Sequence, residues 1–118
     1  MTLIVLIGHG GLPEGMRDAA ELILGPQPRL HAVSLTAGQS PEDLRQRLKD
    51  VVSGGSALVL ADIHGGTPWN VASVVAHGSP VIDVVTGFNL PMVLAVLTGR
   101  GESVAELALV AAEARMAG

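Results

Sequence analysis

The chain has 118 residues, a formal net charge of −4, no cysteine, and two aromatic side chains, Trp69 and Phe88. That length holds one domain with a core of its own, over residues 1–118, and is too short for two. The balance excludes a disulfide framework and thiolate chemistry, and with no basic stripe it argues against nucleic acid or an anionic membrane as partner.

With 48% apolar residues and so few rings, the core must be built from Val, Leu, Ile and Ala. Such a composition suits buried parallel strands covered by Ala- and Leu-rich helices. Leu3 to Ile7 is a continuous apolar run rich in β-branched residues, and reads as a central strand buried on both faces. It is too short for a signal peptide and lacks a basic lead. No run approaches the roughly 20 apolar residues of a membrane span. A cytoplasmic protein without membrane insertion is expected.

Gly8 to Leu12 turns the chain. Pro13 starts a helix that Glu14 to Leu24 continues, with Met16, Ala19, Ala20, Ile23 and Leu24 as its apolar stripe. Gly25-Pro26 stops it. Leu30 to Leu35 reads as a second strand, with Ala32–Leu35 as its body. Ser40-Pro41-Glu42-Asp43 is a helix start: Ser caps, Pro takes the first position, and two acids sit in the positive first turn. Leu44, Leu48, Val51 and Val52 form the buried face, and Ser53-Gly54-Gly55 ends it.

Ala57–Ala61 is the third strand. After Asp62-Ile63-His64-Gly65-Gly66, Thr67 is placed to cap a helix and Pro68 to open it, running to about His77. Val81–Val85 is the fourth strand. Gly87-Phe88-Asn89-Leu90-Pro91 turns into a helix capped by Asn89 and reaching about Thr98. Gly99-Arg100-Gly101 breaks the chain, and Glu102 to Met116 reads as a last Ala-rich helix striped by Val104, Leu107, Ala108 and Ala111. Strand and helix alternate on short loops. The fold class is therefore α/β, a doubly wound, mainly parallel four-stranded sheet in the order 2-1-3-4. In that order the first and third strands are neighbours, and ligands bind where the winding reverses between them.

His9 follows the first strand and Asp62 the third. Imidazole is the side chain that is both nucleophilic and protonatable near pH 7, and a carboxylate beside it would hold its tautomer. Either residue alone is an ordinary turn residue; together at one sheet edge they make a site. Gly65, Gly66 and Thr67 offer backbone N–H groups, a hydroxyl and a helix N-terminus, which suit an anion such as phosphate. No Lys follows the glycines, so this is not a Walker A loop, and Gly8-His9-Gly10-Gly11 lacks dinucleotide spacing. Asp62-x-His64 with His9 could ligate a metal, but no second cluster supports it, and neither metal nor cofactor is expected. Phe88 and Met92 read as core, Trp69 as core or site mouth, and His31 and His77 as structural or surface residues.

Three stretches resemble the mannose-type IIA component of the bacterial sugar phosphotransferase system: Val5 to Gly10, Ala61 to Asn70, and Gly87 to Met92. They stand in the family's order and near its spacing. The resemblance implies a phosphotransferase that takes phosphate on a histidine from the carrier HPr and passes it to a IIB domain. On it the phosphohistidine matches His9, its carboxylate partner Asp62, and the hydroxyl of the glycine turn Thr67. It also implies a homodimer, for which the stripe on the last helix would serve. The residue before the histidine is often Ser or Thr in the family and is Gly8 here, which removes one hydroxyl contact. The sequence ends near Gly118 without a fused IIB domain, and no extra strand is evident after Phe88, although family members can exchange one between subunits. A stand-alone IIA protein can also be a regulatory module. The phosphotransfer subunit of dihydroxyacetone kinase uses a similar domain, but Gly65-Gly66-Thr67-Pro68-x-Asn70 favours the sugar branch.

Overall fold

The structure is a computed structural model and describes residues 1–99 and 103–117. Four parallel strands form one sheet: β1 (Leu3–His9), β2 (Leu30–Leu35), β3 (Ala57–Ala61) and β4 (Ile82–Thr86). Their order is β2-β1-β3-β4, as the alternating pattern requires. Helices α1 (Leu12–Leu24), α2 (Pro41–Val52), α3 (Thr67–His77), α4 (Leu90–Thr98) and α5 (Val104–Ala117) cover both faces. Among the described residues no fifth strand joins the sheet.

Each face of the sheet has its own apolar cluster, because alternate residues of a strand point to opposite sides. Ile4, Leu6, Leu58 and Leu60 pack beneath α1, α4 and α5 with Phe88, Met92 and Leu107. Val5, Ile7, Val59 and Ala61 pack beneath α2 and α3 with Leu44, Leu48 and Val71. Every residue of β3 is buried, which is why its sequence is apolar throughout rather than alternating.

Several local signals act as read. Ser40 Oγ accepts the Asp43 N–H at 3.1 Å and Asn89 Oδ1 accepts the Met92 N–H at 2.8 Å. Ser53 closes α2 in the left-handed region at φ 46°. Other boundaries differ. β1 runs on through Gly8 to His9 because β2 continues beside it, pairing Gly8 with Ser34 and His9 with Leu35. β4 is displaced by one residue, since Thr86 pairs with Ala61.

Two apolar stripes need correction. In α1, Pro13 and Ala20 are buried while Ile23 is 58% exposed, so the helix rests on the sheet through its earlier turns. In α5, Leu107 and Ala111 are buried and Ala108 packs beside them, all against the chain's own sheet and α4. A stripe thus engaged is not available to a partner copy. The break at Arg100-Gly101 and the helix start at Glu102 lie outside the described residues; from Ser103 on, a capping box with Glu106 opens α5.

Candidate active site

The C-terminal ends of β1 and β3 lie side by side at the point where the winding reverses. Asp62 steps off β3 and its backbone N–H donates to the Ile7 carbonyl at 3.1 Å. Its side chain then reaches over β1. One oxygen, Oδ2, lies 2.7 Å from His9 Nδ1 and accepts the His9 backbone N–H at 2.9 Å. The other, Oδ1, accepts the Ile63 N–H at 2.9 Å. On the far side, the Gly10 N–H donates to the Leu35 carbonyl at 2.8 Å, so the histidine loop is tied to both neighbouring strands. Gly10 takes a positive φ of 57° there, which a side chain would oppose.

The pair is asymmetric in exposure. The Asp62 side chain is 7% exposed and that of His9 48%. Burial pushes the Asp62 carboxyl up, but hydrogen bonds from the His9 ring, the His9 N–H and the Ile63 N–H outweigh it, and the net effect holds it below its ordinary value. An ionised carboxylate can only accept. His9 Nδ1 must therefore carry the hydrogen, and a neutral ring then has its lone pair on Nε2.

The glycine turn forms the next wall. Gly65 takes φ 86°, and a Cβ on Gly66 would lie 3.1 Å from His9 Cε1, so the turn runs close against the ring. Gly66, not Thr67, occupies the cap position of α3. Its extended backbone already offers a carbonyl to the Asn70 N–H at 2.9 Å, which moves the helix start forward by one residue. Thr67 is then the first helical residue, and no side chain caps α3. Its hydroxyl is not used up in capping.

His64 does not join the carboxylate. It is exposed, with its ring on Trp69 at a centroid distance of 4.3 Å and a tilt of 48°. Among the described residues no three His, Cys, Asp or Glu side chains come together as a metal site. Trp69 is half-buried against the α3-side cluster, and Phe88 and Met92 are core. His31 is half-buried in β2 and His77 is exposed at the end of α3. What the side-chain pattern does not announce is the backbone set: the N–H groups of His9, Ile63 and Gly10. No residue type marks them.

The site is thus a doubly wound α/β sheet with an imidazole–carboxylate pair at its switch point, beside a glycine turn and a helix N-terminus that no side chain caps, an arrangement chemically able to place an anion next to the ring. The family described as PTS system fructose IIA component matches residues 3–113. The fructose-specific EIIA component of the Bacillus subtilis phosphotransferase system is 33% identical over 104 residues, covering 85% of this chain and 71% of that protein. The sorbose-specific EIIA component of Lacticaseibacillus casei is 30% identical over 96 residues, covering 79% of this chain and 70% of that protein. The crystal structure of an EIIA component from Streptococcus agalactiae superimposes with a TM-score of 0.94 at 32% identity, covering 100% of this chain and 95% of that one. The chain belongs to this family of IIA components of the sugar phosphotransferase system.

Proposed function

We propose that this chain is a phosphoryl carrier in sugar uptake, with His9 as the residue that is phosphorylated and residues 1–118 acting as one IIA-type domain. The observation that carries the reading is the 2.7 Å contact between His9 Nδ1 and an ionised Asp62. It leaves the Nε2 lone pair as the nucleophile. In the forward step Nε2 attacks the phosphorus of the phosphohistidine on HPr. A new N–P bond forms as the donor's N–P bond breaks, and that electron pair returns to the donor ring. A ring bearing phosphorus on Nε2 and hydrogen on Nδ1 is cationic, and Asp62 balances that charge. The N–H groups of the Gly65-Gly66-Thr67 turn and the Thr67 hydroxyl take up charge on the transferring oxygens. Phosphoryl transfer is mainly positioning plus charge stabilisation, so a few fixed groups suffice. The reverse geometry serves a IIB domain as acceptor.

The two relatives carry different sugar names, fructose and sorbose, at nearly equal identity. That supports a shared carrier step rather than sugar recognition at this site. No helix among the described residues is long and apolar enough to cross a membrane; the cytoplasmic location is proposed on the family membership. The proposal extends to a homodimer on the family resemblance alone, because the α5 stripe is engaged in the chain's own core. A monomer mass by light scattering at micromolar concentration would refute the dimer.

The carrier reading is tested with phosphoenolpyruvate, enzyme I and HPr. Acid-labile phosphate on the chain, then its passage to a IIB domain, is the expected result. No uptake overturns the reading; uptake without passage to any IIB domain replaces transport by a regulatory role.

A further inference from the structure

We infer that His64 and Trp69 are positioning residues: their rings meet across the Gly65-Gly66-Thr67-Pro68 turn and hold its N–H groups in place beside His9. The two ring centroids lie 4.3 Å apart with a tilt of 48°. His64 stands just before the turn and Trp69 just after it, so the contact closes the turn as a clasp.

The turn needs such a restraint. Adjacent glycines leave the backbone its widest conformational freedom, and ordering them costs the most entropy. Gly65 takes φ 86°, and a Cβ on it would meet nothing within 4 Å, so no neighbouring element braces the turn on that side. Gly66 is the opposite case. A Cβ on it would lie 3.1 Å from His9 Cε1 and 3.4 Å from Ile63 Cγ1, so a small swing of the turn changes its distance to the reacting ring.

Trp69 has the anchorage that the glycines lack. It sits in the first turn of α3 and packs against the cluster that holds Val59, Val71 and Ala72. His64 is exposed, and its ring rests on that anchored indole. The indole thus ties the core to the chain ahead of the glycines, across the residues that offer the donors. Donors fixed in advance stabilise a transferring group without reorganising at the moment of reaction.

The effect on transfer rests on the carrier reading, whereas the order of the turn is measured without phosphate. The experiment records ¹⁵N order parameters of the Gly65 and Gly66 N–H groups by NMR, and kcat and KM for transfer from phosphorylated HPr. It compares wild type, His64→Ala, His64→Phe, Trp69→Leu and the double variant His64→Ala/Trp69→Leu. Wild type should show a rigid turn, near about 0.85, and His64→Ala should fall toward about 0.6. His64→Ala should also lower kcat about three- to tenfold, the scale of one ring pair, with KM within about twofold of wild type. His64→Phe should restore both. In the Trp69→Leu background, His64→Ala should cost less than about twofold more, because the two changes act through one contact. An unchanged order parameter in His64→Ala overturns the inference. So does a rise in KM with kcat unchanged, which would make His64 a docking residue, or a failure of His64→Phe to restore kcat. If Trp69→Leu does not fold, the exposed position decides alone, through His64→Ala and its rescue by His64→Phe. Loss of order in His64→Ala, in a protein whose wild type takes no phosphate, refutes the carrier reading and leaves the clasp standing.

Discussion

A single oxygen of Asp62 accepts two hydrogen bonds from His9, one from Nδ1 at 2.7 Å and one from the backbone N–H at 2.9 Å. The ring bond orients the imidazole and the backbone bond holds the strand end that carries it. Both are charge-assisted, and the short ring contact is in the range of the stronger hydrogen bonds.

His9→Ala should abolish labelling by phosphorylated HPr. The measurement is acid-labile phosphate on the purified variant. If label persists, the carrier is another histidine, and His64, exposed beside Trp69, is the one to test next.

Asp62→Ala should still accept phosphate but slow transfer by on the order of 10²-fold. The ring would lose its fixed tautomer and the cationic phosphoimidazole its counter-charge. A rate within a factor of about two of wild type would remove Asp62 from the site.

Thr67→Ala should cost less, about fivefold, the scale of one hydrogen bond worth about 1 kcal/mol. Backbone donors of the turn remain after the hydroxyl is gone. Because α3 is capped by Gly66 rather than Thr67, thermal stability should hardly change, and calorimetry separates this from a capping loss.

Asp62 also makes stability depend on pH. Its folded-state pKa is lowered, so it stabilises the fold above its unfolded pKa of about 4, and that contribution is lost as pH falls through the lower folded value. Urea unfolding of wild type and Asp62→Asn should differ most at neutral pH. The gap should narrow only below about pH 4. A gap that closes between pH 6 and 7 would mean that the titrating group is not this carboxyl.

In α5, Leu107→Ala should destabilise by about 2–5 kcal/mol, as for a fully buried leucine. Leu109→Ala should stay within about 0.5 kcal/mol, because that side chain is 65% exposed. Chemical denaturation of the two variants side by side checks the direction in which α5 turns its apolar stripe.

Much of the molecule was legible along the chain. Continuous apolar runs marked the strands of a sheet covered on both faces, and Ser40 and Asn89 marked helix starts, because burial and capping are local requirements written in residue type. Right-handed crossovers then left few orders for the strands, and β2-β1-β3-β4 was the one reached from the alternating pattern. His9 and Asp62 stood out because each ends a strand that this order makes a neighbour of the other.

Other features were decided only by the tertiary structure. The sheet register carried β1 on to His9, through a glycine that by itself reads as a turn. The Gly66 carbonyl took the first helical bond and moved the start of α3. The core, not a partner, claimed Leu107 and Ala111, and Ile23 was left exposed although it shares the spacing of a buried stripe. Helical spacing says which residues share a face and not what that face meets. Likewise the chain shows a histidine and an aspartate far apart, but only the tertiary structure shows one Asp62 oxygen on both the ring and the backbone N–H of His9. Such contacts join residues far apart in sequence, through backbone groups and excluded space that no local pattern of residue types encodes.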